Sequence, residues 1–155
     1  MKILIDTNVI MDVLAKREPF YTNAKIILNS CDFGDIKGVI AGHSITNLFY
    51  ILRKYFERDE IRKILLNLCK AFQIESVDRD KIISSLENKT FNDIEDCLQM
   101  ECAISGNVDY IITRNKKDFL YSSVPCLTLK NFVISLVLLN RIYFQKLKKN
   151  KKLAP

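Results

Sequence analysis

Apolar and polar positions along this chain switch between two spacings. Ile3, Leu4 and Ile5 form a short run rich in β-branched residues, and the charge of Asp6 closes it. Such a run predicts a buried strand that delivers a carboxylate at its C-terminal end. Val9, Ile10, Val13 and Leu14 then recur at helical spacing, with Thr7 or Asn8 placed to cap that helix. Lys16-Arg17-Glu18-Pro19 breaks it. A second helix from about Thr22 aligns Ala24, Ile27, Leu28 and Cys31 and stops at Gly34. Lys37 to Ala41 reads as a second strand. A third helix starts near His43 or Ser44 and carries Ile45, Leu48, Phe49, Ile51, Leu52 and Tyr55. Arg58-Asp59-Glu60 reads as a charged break before a fourth helix, striped by Ile61, Ile64, Leu65, Leu68 and Phe72.

The same alternation continues to the end. Phe72 to Val77 predicts a strand, followed by a helix carrying Ile82, Ile83 and Leu86. After a polar connection from Asn88 to Asn92, a helix spans about Asp93 to Ser105, with Gly106 as its stop. Val108 to Thr113 is a clear strand, Arg114 to Phe119 a turn or short helical loop, Val124 to Leu127 a short strand, and Asn131 to Leu147 a closing helix. Strands alternating with helices predict an α/β fold, a three-layer α/β/α sandwich around a mostly parallel sheet of about five strands. One domain is expected over residues 1–145, followed by a flexible lysine-rich tail at 146–155.

Composition changes this picture little. The 155 residues suit one domain with a real core. A net charge of +6 permits a polyanionic partner, although Lys146, Lys148, Lys149, Lys151 and Lys152 of the tail supply much of it. Five cysteines without a CxxC spacing indicate reduced thiols in a cytoplasmic protein, with Cys31, Cys69 and Cys97 expected in the core. The most apolar stretch, Phe132 to Phe144, is too short and too interrupted to span a membrane, and no signal peptide is evident.

The carboxylates change it more. In open α/β sheets ligands bind beyond the carboxyl ends of the strands, where Asp6 is placed. Asp6 also suits a capping role, and the pattern leaves both open. In the helix after Asn92, Asp93 and Asp96 share a face. At helical spacing Asp93, Cys97, Met100 and Ile104 fall on the apolar stripe with Asp96 at its border. Carboxylates facing a core need a partner, and a divalent metal is one. The alternative is a cap, with Asp93 at the N-cap and Asp96 in the first turn. Thr113, Asn115 and Asp118 follow the VDYIIT strand at the same sheet edge as Asp6, and Arg114, Lys116 and Lys117 are placed to meet phosphates or to be solvated. Oxygen donors of this kind suit Mg²⁺ or Mn²⁺ and phosphodiester cleavage. His43 is the only histidine, and no phosphate loop or GxSxG elbow occurs.

ILIDTNVIMDVL, FNDIEDCLQMECAISGNVDYIITRNKKDF and VPCLTLKNF, in this order, resemble the beginning, middle and end of a PIN domain, close to the VapC-type toxin branch and its uncharacterised relatives. The resemblance runs from about Lys2 to Phe132. It implies a Mg²⁺- or Mn²⁺-dependent endoribonuclease whose acidic residues hold the metal. Asp6 matches the first of these, and Asp96 with Asp93 matches the acidic pair of the later helix. Asn115 falls where many members carry Asp, with Asp118 in the same loop. Asn47 is the nearest match to a Glu usual in the third helix. Two usual carboxylates are therefore amides here, which ligate without adding charge. The expected catalytic set is Asp6, Asp93, Asp96 and Asp118, with Asp6, Asp93, Asp96 and Asn115 toward metal. Thr7, Asn8, Asn47, Thr113, Arg114 and Lys116 are expected to support the site or touch substrate. RNA, a small antitoxin and a second copy of the chain are the implied partners. The amides motivate a second reading, a non-catalytic PIN-like RNA-binding or assembly module. A haloacid-dehalogenase-type phosphatase also opens with a strand-end Asp, but it needs a second Asp where this chain has Asn8.

Overall fold

A computed structural model describes residues 1–138. The closing helix beyond that point and the lysine-rich tail lie outside the described residues. The elements run β1 (Lys2–Ile5), α1 (Thr7–Leu14), α2 (Tyr21–Asp32), β2 (Lys37–Ala41), α3 (Gly42–Leu52), α4 (Arg58–Ala71), β3 (Gln73–Glu75), α5 (Arg79–Glu87), α6 (Ile94–Ser105), β4 (Tyr110–Thr113), a 3-10 turn (Lys116–Phe119) and β5 (Cys126–Thr128). A last helix, α7, is described over 129–138. The five strands are all parallel in the order β3-β2-β1-β4-β5. The expected α/β sandwich is therefore what forms.

Side-chain alternation along β1 builds the layers. Ile3 and Ile5 face a core with Ile10, Ile27, Leu48 and Phe132, whereas Leu4 faces a second core with Cys97, Met100, Ala103 and Phe119. Helices α1 to α4 and α7 cover the first face. Helix α6 covers the second, with α5 packed against it. Complete burial of an isoleucine or leucine contributes roughly 1.5–3 kcal/mol, so β1 is held from both sides.

Several local expectations are corrected. Asp6, not Thr7 or Asn8, caps α1. Arg58, Asp59 and Glu60 form the first turn of α4 instead of a break, with the acids at the positive end of the helix. Cys69 is exposed. On α5, Ile82 and Leu86 are exposed, while Lys81 and Ser85 turn inward. The inward face of α5 meets Glu75, at the end of the sheet's edge strand. Lys81 Nζ lies 3.6 Å from the Glu75 carboxylate and 3.1 Å from that of Asp78. β3 and β5 are shorter than the apolar runs suggested, because only part of each run is paired.

From β1 the chain crosses to β2 on one side and later returns to place β4 on the other. The carboxyl ends of β1 and β4 thus flank the topological switch point, where α/β sheets open a ligand crevice.

Candidate active site at the carboxyl edge of the sheet

Asp6 leaves β1 at this crevice and is only 2% exposed. Its Oδ1 accepts from the Asn8 amide at 3.1 Å and from Gln99 Nε2 at 3.3 Å, and its Oδ2 accepts from Thr113 Oγ1 at 2.8 Å. Capping and site placement therefore coexist in one side chain. Burial pushes the Asp6 carboxyl above the usual carboxylate range, while the Thr113, Asn8 and Gln99 donors and the Arg114 charge pull it back.

Thr113 links Asp6 to the loop beyond β4. Its Oγ1 accepts from the Asn115 amide at 3.1 Å, and Asn115 Nδ2 donates to Asp118 Oδ2 at 2.6 Å. One hydroxyl thus joins the buried acid to two exposed loop residues. Thr7 Oγ1 donates to Ser44 Oγ at 2.8 Å in a buried contact that ties α1 to α3. Asn8 and Lys116 are exposed.

Helix α6 brings the other acids. Asp93 is its N-cap and accepts from the Glu95 amide at 2.8 Å, so it is exposed and not on a buried stripe. A capping carboxylate must turn back over the first-turn amides. Gln99 takes the inward position instead, and Ile104 is half exposed. Asp96 is half-buried and lines a pocket with Asp93, Lys117, Asp118 and Tyr121. Its carboxyl is pushed up to about 7, first by burial and then by the charges of Asp6, Asp93, Asp118 and Glu95. These acids therefore share one electrostatic neighbourhood.

Asn47 on α3 donates through Nδ2 to Glu95 Oε1 on α6. Glu95 is half-buried, and burial raises its carboxyl, opposed by the Asn47 bond and reinforced by Asp93 and Asp6. Sequence reasoning passed over Glu95, because i to i+3 spacing selects Asp93 and Asp96. The available signal was the amide at Asn47, which needs an acceptor from across the cleft. His43 nearby has both ring nitrogens buried without a partner among the described residues, and burial lowers its pKa.

On the opposite flank, Arg114 Nη1 lies 3.1 Å from Oδ1 of Asp12, which is completely buried. The guanidinium also sits 5.0 Å from the centre of the Phe20 ring. Arg114, expected to meet phosphate or solvent, is thus partly committed to the protein.

Among the described residues, no three carboxylate, imidazole or thiol side chains converge closely enough to be a ready-made metal cage. The donor chemistry around Asp6 and Asp96 nevertheless fits a hard divalent ion. It is all oxygen, from carboxylates and amides, and its acids repel one another. Mg²⁺ keeps several waters and needs only one or two carboxylates.

Residues 2–117 match the family described as PIN domain. This chain belongs to the PIN domain family. The match covers Asp6 through Asn115 and ends one residue before Asp118. Solved structures share the PIN fold. A toxin–antitoxin complex from Klebsiella pneumoniae is 24% identical with a TM-score of 0.60, covering 81% of this chain and 96% of that one. DNA-bound VapBC from Salmonella typhimurium is 15% identical with a TM-score of 0.62, covering 83% and 98%. VapBC2 from Rickettsia felis, bound to a promoter DNA fragment, is 17% identical with a TM-score of 0.58, covering 83% and 98%. No curated protein matches this PIN domain significantly.

Proposed function

We propose that this PIN domain is a Mg²⁺- or Mn²⁺-dependent endoribonuclease and the toxin of a toxin–antitoxin pair in the cytoplasm. One observation carries this reading. A buried strand-end carboxylate, Asp6, is oriented by Thr113 and Gln99 at the switch point, within the field of Asp96.

Asp6 and Asp96 are the leading metal ligands, with Asp93, Asp118 and Asn115 completing or orienting the set. A divalent ion held there supplies a more acidic water and an electrophilic anchor for the phosphate and leaving oxygens. The chain's own residues do the rest. Thr113 and Gln99 fix the direction of the Asp6 lone pairs. Thr113 also positions the Asn115 backbone, which ties the loop with Asp118 to Asp6. Thr7 and Ser44 lock the start of α1 against α3. Lys117, in the acidic pocket, and Lys116 beside it offer charge to the RNA backbone.

The toxin–antitoxin and VapBC assemblies among similar structures support an antitoxin that covers the cleft. Ile134, Val137 and Leu138 of α7 are about half exposed, at 48%, 50% and 52%, which supports burial of this helix in a homodimer. Asn47 and Asn115 favour the second reading, an RNA-binding module without catalysis.

Cleavage of a mixed RNA panel in Mg²⁺, Mn²⁺ or EDTA separates the two. The nuclease predicts metal-dependent cleavage that is lost in Asp6→Asn and in Asp96→Asn. RNA binding by the parent without cleavage at any metal concentration overturns the nuclease in favour of the module.

A further inference from the structure

Beyond Arg114, on the flank away from the acids, lies a second pocket. Phe20, Asn23, Arg114, Thr128 and Lys130 line it with Pro19 and Leu129, and no acidic residue is among them. Asn23 and Phe20 come from the start of α2 and the residue before it. Arg114 follows β4, and Thr128 ends β5. The pocket therefore opens at the same carboxyl edge as the acidic pocket, which begins at the other end of the Arg114–Asp118 loop.

Arg114 is held but not used up. Asp12 takes one N–H of its five-donor fork, and Phe20 supports the guanidinium plane. The remaining N–H groups have no partner among the described residues, and the side chain is 30% exposed. Arg114 is thus pre-oriented, which lowers the entropy lost when it grips an anion. Lys130 is exposed on the same pocket and adds a second positive charge. Asn23 and Thr128 add neutral hydrogen-bonding groups. The exposed Lys130 charge, the remaining N–H groups of the Asp12-paired Arg114, two neutral polar groups and an aromatic wall form a surface for a phosphodiester backbone.

We propose that this pocket is a binding subsite for the RNA backbone flanking the scissile phosphate, with Arg114 and Lys130 as its phosphate contacts. The proposal rests on the ribonuclease reading above. A strand laid across the end of β4 meets the acids on one flank and Arg114 with Lys130 on the other. The contact reads charge and spacing, not base identity, so it acts equally on RNAs of different sequence.

The test is anisotropy of a fluorescein-labelled 12-nucleotide RNA in EDTA, with cleavage in Mg²⁺ and Mn²⁺ measured in parallel. Lys130→Glu leaves the fold intact because its side chain is exposed, and circular dichroism checks this. It should weaken RNA binding about tenfold and reduce the slope of log Kd against log salt by about one. Asn23→Asp, which puts an acid into the pocket, should weaken binding in the same direction. Lys63→Glu makes the same charge change on α4, beside the opposite sheet edge, and should stay within about twofold of the parent. If Lys130→Glu binds no worse than Lys63→Glu while the parent still cleaves RNA, the subsite is wrong and the ribonuclease stands. If the parent neither binds nor cleaves RNA, the ribonuclease reading fails and the subsite with it.

Discussion

The two flanks of the Asp6 crevice treat charge in opposite ways. On the α1 side, Asp12 is completely buried, and Arg114 neutralises it at 3.1 Å under the cover of Phe20. On the α6 side, Asp96 is half-buried among Asp6, Asp93, Asp118 and Glu95, with only Lys117 lining their pocket as a cation. Burial raises the carboxyl of both Asp12 and Asp96, yet only Asp12 has a guanidinium to draw it back. Asp12 and Asp96 thus differ in compensation as well as in burial. The uncompensated flank stores repulsion that a cation can relieve.

The largest effect that sharpens this contrast should come from Arg114→Met. It leaves Asp12 buried without its partner, at a cost of about 3 kcal/mol read by urea unfolding. Adding Asp12→Leu should recover most of that loss. A cost below about 1 kcal/mol for Arg114→Met would mean that the pair is not structural.

On the other flank the sign should reverse. The folded-state pKa of Asp96 lies above its unfolded value, so protonated Asp96 favours the native state. That contribution is complete below about pH 4 and is lost as pH rises through about 7. In EDTA the parent should therefore melt a few degrees higher at pH 5.5 than at pH 8. Asp96→Asn should flatten this difference and stabilise the protein at pH 8, by roughly 1 kcal/mol after allowing for solvent screening. If Asp96→Asn melts lower than the parent at pH 8 in EDTA, the two flanks are not opposites.

Thr113→Val tests the link between the flanks. It keeps the shape and removes the hydroxyl that joins Asp6 to Asn115, at about 1 kcal/mol in stability. RNA cleavage should fall roughly tenfold, because the acid loses its orientation. Equal cleavage by Thr113→Val would remove that positioning role. The smallest effect should come from Asn47→Asp, which puts a carboxylate against Glu95. Without metal it should cost about 1 kcal/mol, because it trades a hydrogen bond to a half-buried carboxylate for a like charge, and the rise in melting temperature on adding Mg²⁺ should increase. An unchanged Mg²⁺ response would place Asn47 outside the metal's reach.

Much of the scaffold was legible because its signals are local. The β1 run, the helical stripes and the stops at Gly34 and Gly106 depend on residues a few positions apart. The errors fell where a distant partner decides. Lys81 turns inward because Glu75 waits there, and α5 shows no trace of that in its own period. The pairing of Arg114 with Asp12 spans most of the chain, so a basic residue in a loop read as solvent- or phosphate-facing. Glu95 was missed for the same reason, since its partner Asn47 sits on another helix. The positions of Asp6 and Asp96 were legible because strand ends and the first turns of helices announce themselves.

The place of β1 in the sheet also sets when the crevice can exist. Asp6 and Thr113 are 107 positions apart, and β4 is the partner that brings them together. During synthesis Asp6 emerges first and waits, bare of Thr113 and Gln99, until most of the chain has left the ribosome. Contacts this distant in sequence also form slowly. A chain cut short before Asp109 lacks β4 and Thr113 and so cannot assemble the crevice around Asp6.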